Sequence, residues 1–468
     1  MDNVEERVVF SREVYNISRI EDIKVEFTLN DTTVYTKENQ LIIESIKTID
    51  SIDSSFEIKR YTRPDLLVIE GIMSYFTGHL FTIYDDRISD ISQILENETN
   101  PSKKIESTIF LFEGCDYSID VNLLLGKINE NRYKTLIITL LDRWRKALFM
   151  VSESEVNTFH DEAILTHFHI LELLVDNYYD EFKEEASIEI KSFLTRFSTE
   201  TLNQNGNARE NTISSKYNIL KEVLISNEAS ITTKINYFLK RHTMFDDRTY
   251  TLINKIVKIR NSIAHGRTTY KDKLIWPLPP FFNITSGESQ MIAAQIQVLT
   301  ARAIAVHLDL NTWKDVWEDM HQSLPPSDEV IIRFIKNPNE HDQISGTALL
   351  EGSYENITVT SVVDYYIENR RKFSFPELEL VLANTIKEVS INEDNCDRLF
   401  LASVLLCDAE DEQLSNISKR NVELVHKSGW YGYSNIKDIV RYFDFYGIEV
   451  KWLYSWILQK GHIDTKRG

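Results

Sequence analysis

The sequence predicts an α+β chain of several domains, with a β-rich N-terminal region, an all-helical bundle after it and a helical accessory region at the C-terminal side. Three observations carry that prediction. The chain has 468 residues, more than one compact core of about 100 to 200 residues accommodates. Its content of 42% hydrophobic and 26% charged residues is that of a folded globular protein, not a disordered or fibrous one. The spacing of apolar residues also changes along the chain, from strand-like alternation to helical recurrence near Tyr133.

The first region, residues 1–125, contains short runs with strand character: IKVEFTL from Ile23, LIIESI from Leu41, FEIKRYT from Phe56, LLVIEGI from Leu66 and HLFTIYD from His79. β-Branched content and the turn-forming residues between them favour a sheet. A helix is expected over Asp86 to Leu95, and STIFLFEG and YSIDVNLLL read as returns to the sheet. The second region, 131–310, has helical periodicity. It is plainest from Asp161 to Phe182, where Ile164, Phe168, Leu171, Val175, Tyr178 and Phe182 recur every three to four residues. Further helices are expected at Thr135 to Val151, Ile188 to Phe197, Ser215 to Ile225 and Ile231 to His242. Thr285 with Glu288 forms a capping box ahead of Ile292, Ile296, Leu299, Ala303, Val306 and Leu310. A polar stretch at Gln322 to Asp328 leads into the third region, 325–468. There Thr360 to Arg371, Pro376 to Val389, Arg398 to Leu406 and Asn435 to Leu458 read as helices with no fixed repeat.

No run approaches the roughly 20 apolar residues of a membrane span, and MDNVEERVVF is acidic where a signal peptide is basic, so a soluble cytoplasmic protein without a membrane partner is expected. Cys115, Cys396 and Cys407 fit neither a disulfide framework nor a zinc knuckle. No Gly-rich phosphate loop or nucleophile elbow occurs, which argues against ATP-driven and serine-nucleophile chemistry. The net charge of −20 opposes nucleic-acid binding except locally. Thr251 to Ile275 is the exception, with six bases against one acid, Asp272.

Within that window, Tyr250 to His265 reads as one helix. Leu252, Ile256, Ile259 and Ile263 share one side and would pack inward, whereas Asn254, Lys258, Asn261 and His265 share the opposite side. Arg260 lies between the two faces, and Gly266 stands where a left-handed helix cap is favoured. A histidine in the last helical turn, an arginine fork and a polar amide suit RNA cleavage by the RNA's own 2′-hydroxyl. His265 would transfer protons, Arg260 would hold the phosphate and Asn261 would orient a phosphate oxygen, a hydroxyl or the imidazole. No metal and no cofactor is called for. Because one histidine cannot easily be both base and acid in a single step, a symmetric homodimer that brings two motif helices together is expected. Lys258, Arg267, Lys271 and Lys273 are the candidate RNA-backbone contacts. Glu172, in LELLVDNYY, lies at the edge of an otherwise apolar helix and is a candidate auxiliary residue for pairing with a base of the motif helix. His160, His167 and His169 do not share one helical face and make a poor metal site. Trp276 and PLPPFFN read as a packed connector, in preference to a platform for stacked bases.

The residues RNSIAH, near the end of a late bundle helix, resemble the Arg, polar, three residues, His motif of the HEPN superfamily. The order of a β-rich region followed by this bundle looks like the Apea-type branch. That resemblance implies a bundle that dimerises through its motif helices and cleaves RNA without metal, leaving 2′,3′-cyclic phosphate and 5′-hydroxyl ends, in anti-phage defence (abortive infection) or as a toxin. It also implies partners: the RNA substrate, a second copy of the chain, and a phage-derived trigger or regulatory protein. The alternative is a non-catalytic HEPN dimerisation or adapter protein that binds a partner protein or nucleotide.

Overall fold

A computed structural model describes residues 7–49, 55–82, 87–95, 102–130, 134–152, 159–226, 229–265, 287–337, 345–430 and 436–460. They form two compact units, the first drawn from 1–244, 256–265 and 289–320, and the second from 245–255, 266–288 and 321–468. The β-rich region and most of the helical region after it thus lie together in one unit. The chain is α+β.

The sheet of the first unit is antiparallel, with strands β1 (Arg7–Asn16), β2 (Ile23–Leu29), β3 (Thr32–Lys37) and β4 (Gln40–Ile49). Helix α1 (Ser55–Thr77) follows, then β5 (Arg87–Ile94), β6 (Ile109–Phe112) and β7 (Cys115–Asp116). The strand order is β5-β1-β4-β3-β2-β6-β7. Two-residue turns at Asn30-Asp31 and Glu38-Asn39 place φ near +50° at Asn30 and Glu38, and set registers such as Phe27 opposite Val34 and Tyr35 opposite Ile42.

Four sequence expectations are corrected here, one of them HLFTIYD, whose described residues 79–82 form no strand. FEIKRYT and LLVIEGI form not strands but the single helix α1. Its buried residues Ile58, Leu66, Ile69, Ile72, Met73 and Phe76 follow helical spacing, a pattern spread over more residues than a strand holds. Asp86 to Leu95, expected as a helix, contains β5, because pairing with β1 from Val9↔Ile94 to Val14↔Ser89 outweighs local propensity. YSIDVNLLL is not a strand either. It lies in helix α2 (Ser118–Asn129), whose Val121, Leu124, Leu125 and Ile128 are buried at three- to four-residue spacing.

The helices of this unit continue with α3 (Lys134–Ser152), α4 (His160–Asn177), α5 (Tyr179–Arg196), α6 (Gly206–Lys221) and α7 (Ile231–Arg241), with π-helical turns at Phe197–Thr201 and Glu222–Ser226. Helix α8 (Asp247–Ala264) gives its first half to the second unit and its second half to the first. Helix α9 (Gly287–His307) and most of α10 (Lys314–Ser323) complete the first unit. The expected helix from Asp161 to Phe182 is broken at Tyr178, whose hydroxyl lies 3.0 Å from His307 Nδ1 and 3.2 Å from His242 Nε2.

Helix α1 is the link between sheet and helices. It packs so closely on α3 that a Cβ at Gly71 would stand 2.9 Å from Leu141 Cβ. Trp144, fully buried, donates to Ser74 O at 3.1 Å, and Tyr75 donates to Ala301 O at 2.9 Å. Buried Asp120 accepts the N–H groups of Asn311 and Thr312 at 2.9 and 2.7 Å, which ties the segment after α9 to α2.

The second unit is built from α11 (Asp328–Ile335), α12 (Gly346–Glu351), α13 (Val359–Glu368), α14 (Phe375–Glu388), α15 (Cys396–Leu406), α16 (Glu412–Ser428), α17 (Ile436–Phe445) and α18 (Lys451–Gln459). Phe334, Phe373, Phe400 and Phe443 lie in its core. Side-chain caps from Ser327, Ser345, Thr358 and Asp411, and Glu377 bonding back to Ser374, fix where these helices begin. The expected helix from Asn435 to Leu458 is divided at Gly447, which adopts φ +68°. Cys396 and Cys407 are buried and Cys115 is exposed, all as free thiols. No helix among the described residues is long and apolar enough to cross a membrane.

Candidate active site

Helix α8 begins where Asp246 Oδ1 accepts the Thr249 N–H at 2.9 Å. Leu252, Ile253 and Ile256 are buried at 4% exposure or less, and Ile259 and Ile263 are half-buried. The burial of that seam turns the opposite side outward, so Lys258, Asn261 and His265 are exposed. The His265 N–H still donates to Asn261 O at 3.1 Å, so His265 stands one helical turn after Asn261 on the same side of the helix.

Arg260 does not extend freely into solvent. Its Nη2 donates to Glu172 Oε1 at 2.7 Å, its Nη1 donates to Asn261 Oδ1 at 3.1 Å, and its guanidinium lies 5.2 Å from the centre of the Phe168 ring. Phe168 and Glu172 are four residues apart on α4, so one helix face supplies both the ring and the carboxylate. The Arg260 and Glu172 side chains keep 30% and 26% of their exposure. With two of its nitrogens engaged, Arg260 retains further N–H donors in a fixed plane.

Two further residues extend this string: His169, which the sequence reading weighs only as a metal ligand, and Arg143, which it misses. His169 Nε2 lies 4.0 Å from Glu172 Oε2, and Arg143 of α3 stands 3.4 Å from His169 Nδ1. Arginine only donates, so in that contact His169 Nδ1 is the acceptor. The i, i+3 spacing of His169 and Glu172 was a usable signal, whereas the approach of Arg143 is a tertiary contact. Arg143, His169, Glu172, Arg260 and Asn261 therefore form one connected polar line drawn from α3, α4 and α8, and His265 adjoins its end.

The other two histidines of the cluster lie elsewhere in character. His167 is fully buried, hydrogen-bonded to Thr300 through Nδ1 at 3.0 Å and packed against Trp144, and burial pushes its pKa down to about 3. His160 is also buried, and burial lowers its pKa. Among the described residues no group of three or more His, Cys, Asp or Glu side chains could hold a metal ion. Arg267, Lys271 and Lys273 lie outside the described residues, as do Gly266, Trp276, PLPPFFN and Thr285.

No family model matches this chain, and neither the curated proteins nor the solved structures contain a match to it.

Proposed function

We propose that the chain is a metal-independent endoribonuclease of the HEPN type, acting in anti-phage defence or as a toxin. The observation that carries the reading is the end of α8. Asn261 and His265 stand exposed on one face there, beside an arginine whose fork is fixed by Glu172 and Phe168. In this reading His265 takes the proton from a 2′-hydroxyl or gives one to the 5′-oxygen, and the remaining donors of Arg260 hold the phosphate as charge develops. Asn261, bonded to Arg260, orients a phosphate oxygen or the imidazole. The chain breaks between phosphorus and the 5′-oxygen, leaving a 2′,3′-cyclic phosphate and a 5′-hydroxyl. A second copy of the motif helix, presented by a symmetric dimer, supplies the other proton-transfer group. Lys258 and the bases after Gly266 contact the RNA backbone.

The test is incubation of wild-type protein and the His265→Ala variant with total cellular RNA in excess chelator, followed by analysis of fragment ends. Cyclic-phosphate ends produced only by the wild type are expected, with a loss of about 100- to 10,000-fold in the variant. Equal cleavage by both proteins would remove the motif from the mechanism. Intact RNA in both, repeated with phage-infected extract and still intact, would favour the adapter reading.

A further inference from the structure

The second unit contains an open cleft of about 840 Å³ whose lining includes Ile367, Glu368, Arg370, Arg371, Lys372 and Tyr446. Three consecutive cations thus face one carboxylate on its wall, in a chain of net charge −20. The turn that presents them is firmly held. Asn369 N–H donates to Tyr365 O at 2.9 Å, while Lys372 N–H and Phe373 N–H both donate to Asn369 O, at 2.8 and 3.1 Å. Phe373 is 1% exposed and packs against Tyr365 and Tyr366. On the far side, Arg370 Nη1 donates to the carbonyls of Tyr446 and Gly447, just past the end of α17. Arg370 is therefore positioned by backbone acceptors and keeps its other nitrogens for a ligand. Arg371 and Lys372 are exposed, and neither forms an ion pair among the described residues.

Like charges held side by side on a rigid turn repel, and an anion bound between them removes that cost. The cleft volume falls within the range of about 300 to 1,000 Å³ usual for small-molecule sites. The geometry points to a binding site for a phosphate-bearing small molecule of nucleotide size, with its phosphates on Arg370, Arg371 and Lys372 and the remainder along the half-buried Tyr446. A nucleic-acid strand suits the site less, because a strand needs cations spread along a groove and these stand in one turn. This site stands apart from the nuclease reading, and its test involves no RNA cleavage.

Full-length protein is titrated calorimetrically with ATP and, separately, with inorganic tripolyphosphate, in chelator and at constant ionic strength. The same titrations are run on the double variant Arg371→Glu, Lys372→Glu. Arg370 is left in place because it ties the turn to the end of α17. Saturable binding with a dissociation constant of about 1 to 100 μM is expected, weakened roughly tenfold or more in the variant. Equal binding of both probes means that phosphates alone are read, and tighter binding of ATP adds the Tyr446 side; either result supports the site. A thermal midpoint matching the wild type verifies that the variant is folded, and the milder pair Arg371→Gln, Lys372→Gln replaces it otherwise. Absence of saturable binding to the wild type at millimolar probe, or undiminished binding in the variant, overturns the proposal. So does a single-stranded RNA oligonucleotide that binds more tightly than ATP and loses its binding in the same variant.

Discussion

The first unit contains two arginine–glutamate pairs of almost the same length in different surroundings. Arg145 of α3 meets Glu70 of α1 at 2.6 Å, with side-chain exposures of 15% and 4%, whereas Arg260 meets Glu172 at 2.7 Å with 30% and 26%. In the first pair, burial pushes the Glu70 pKa up to about 8 even though the Arg145 guanidinium pulls it down, and nearby Glu13 adds to the rise. Desolvation outweighs attraction there, so the pair is a structural feature at an internal helix contact. In the second pair the guanidinium also touches Asn261, an exposed residue beside His265. The distance between partners therefore does not distinguish the two pairs. Exposure and the next residue along the hydrogen-bonded line do.

Three substitutions sharpen or break this comparison. The largest effect is expected from Glu70→Ala, which leaves Arg145 buried without its closest carboxylate. Unfolding free energy should fall by about 1–3 kcal/mol, since a buried hydrogen-bonded carboxyl is lost while Arg145 keeps Asp142 at 3.5 Å; this is read as a lower urea midpoint, with RNA cleavage per folded molecule unchanged. A change within experimental scatter would mean that the internal pair is no more costly to break than a surface one. Glu172→Ala should do the opposite. Its stability should stay within about 1 kcal/mol of the wild type, since the pair is partly solvated. Cleavage should drop by roughly 10- to 100-fold, because Arg260 loses the contact that aims its fork. Full activity in a folded Glu172→Ala protein would detach Glu172 from the site. His169→Ala should reduce cleavage by only about 2- to 10-fold, the worth of one polar contact acting through Glu172 at 4.0 Å, and should add little to Glu172→Ala when the two are combined.

How much of this was legible beforehand depended on whether the deciding contacts were local. The turned-out face of α8 followed from the spacing of Leu252, Ile256, Ile259 and Ile263, and helical neighbours such as Asn261 and His265 need no tertiary information. Helix α1 did not read correctly because LLVIEGI is short, apolar and rich in β-branched residues, and only its continuity with Ile58 and Phe76 distinguishes a buried helix from two strands. Strand β5 was misread because RISDISQI becomes a strand by pairing with β1, residues nearly eighty positions earlier. The contact of Arg143 with His169 is likewise a property of helix packing, invisible to any pattern within α4. The break at Gly447 was visible as a glycine, but helical periodicity on both sides masked it.

A change of pH tests the electrostatic half of the comparison. Glu70 has an ordinary carboxyl pKa of 4.5 in the unfolded chain and about 8 in the folded one. Between those values the folded protein holds a proton that the unfolded chain has released, so stability must decrease as pH rises. The contribution is fully present below about 4.5 and is lost on passing through about 8. Buried His167 and His307, pushed down to about 3 and about 4, act in the opposite direction as pH falls below 6.5. The difference between wild type and Glu70→Gln cancels them, because both proteins contain the same histidines. Urea midpoints at pH 5.5 and 7.5 should therefore show the wild type losing stability relative to Glu70→Gln, with a slope of at most about 1.4 kcal/mol per pH unit for one proton. Parallel pH profiles would show that Glu70 is already ionised against Arg145, which would make the internal pair an ordinary ion pair and leave exposure alone to distinguish it from Arg260 and Glu172.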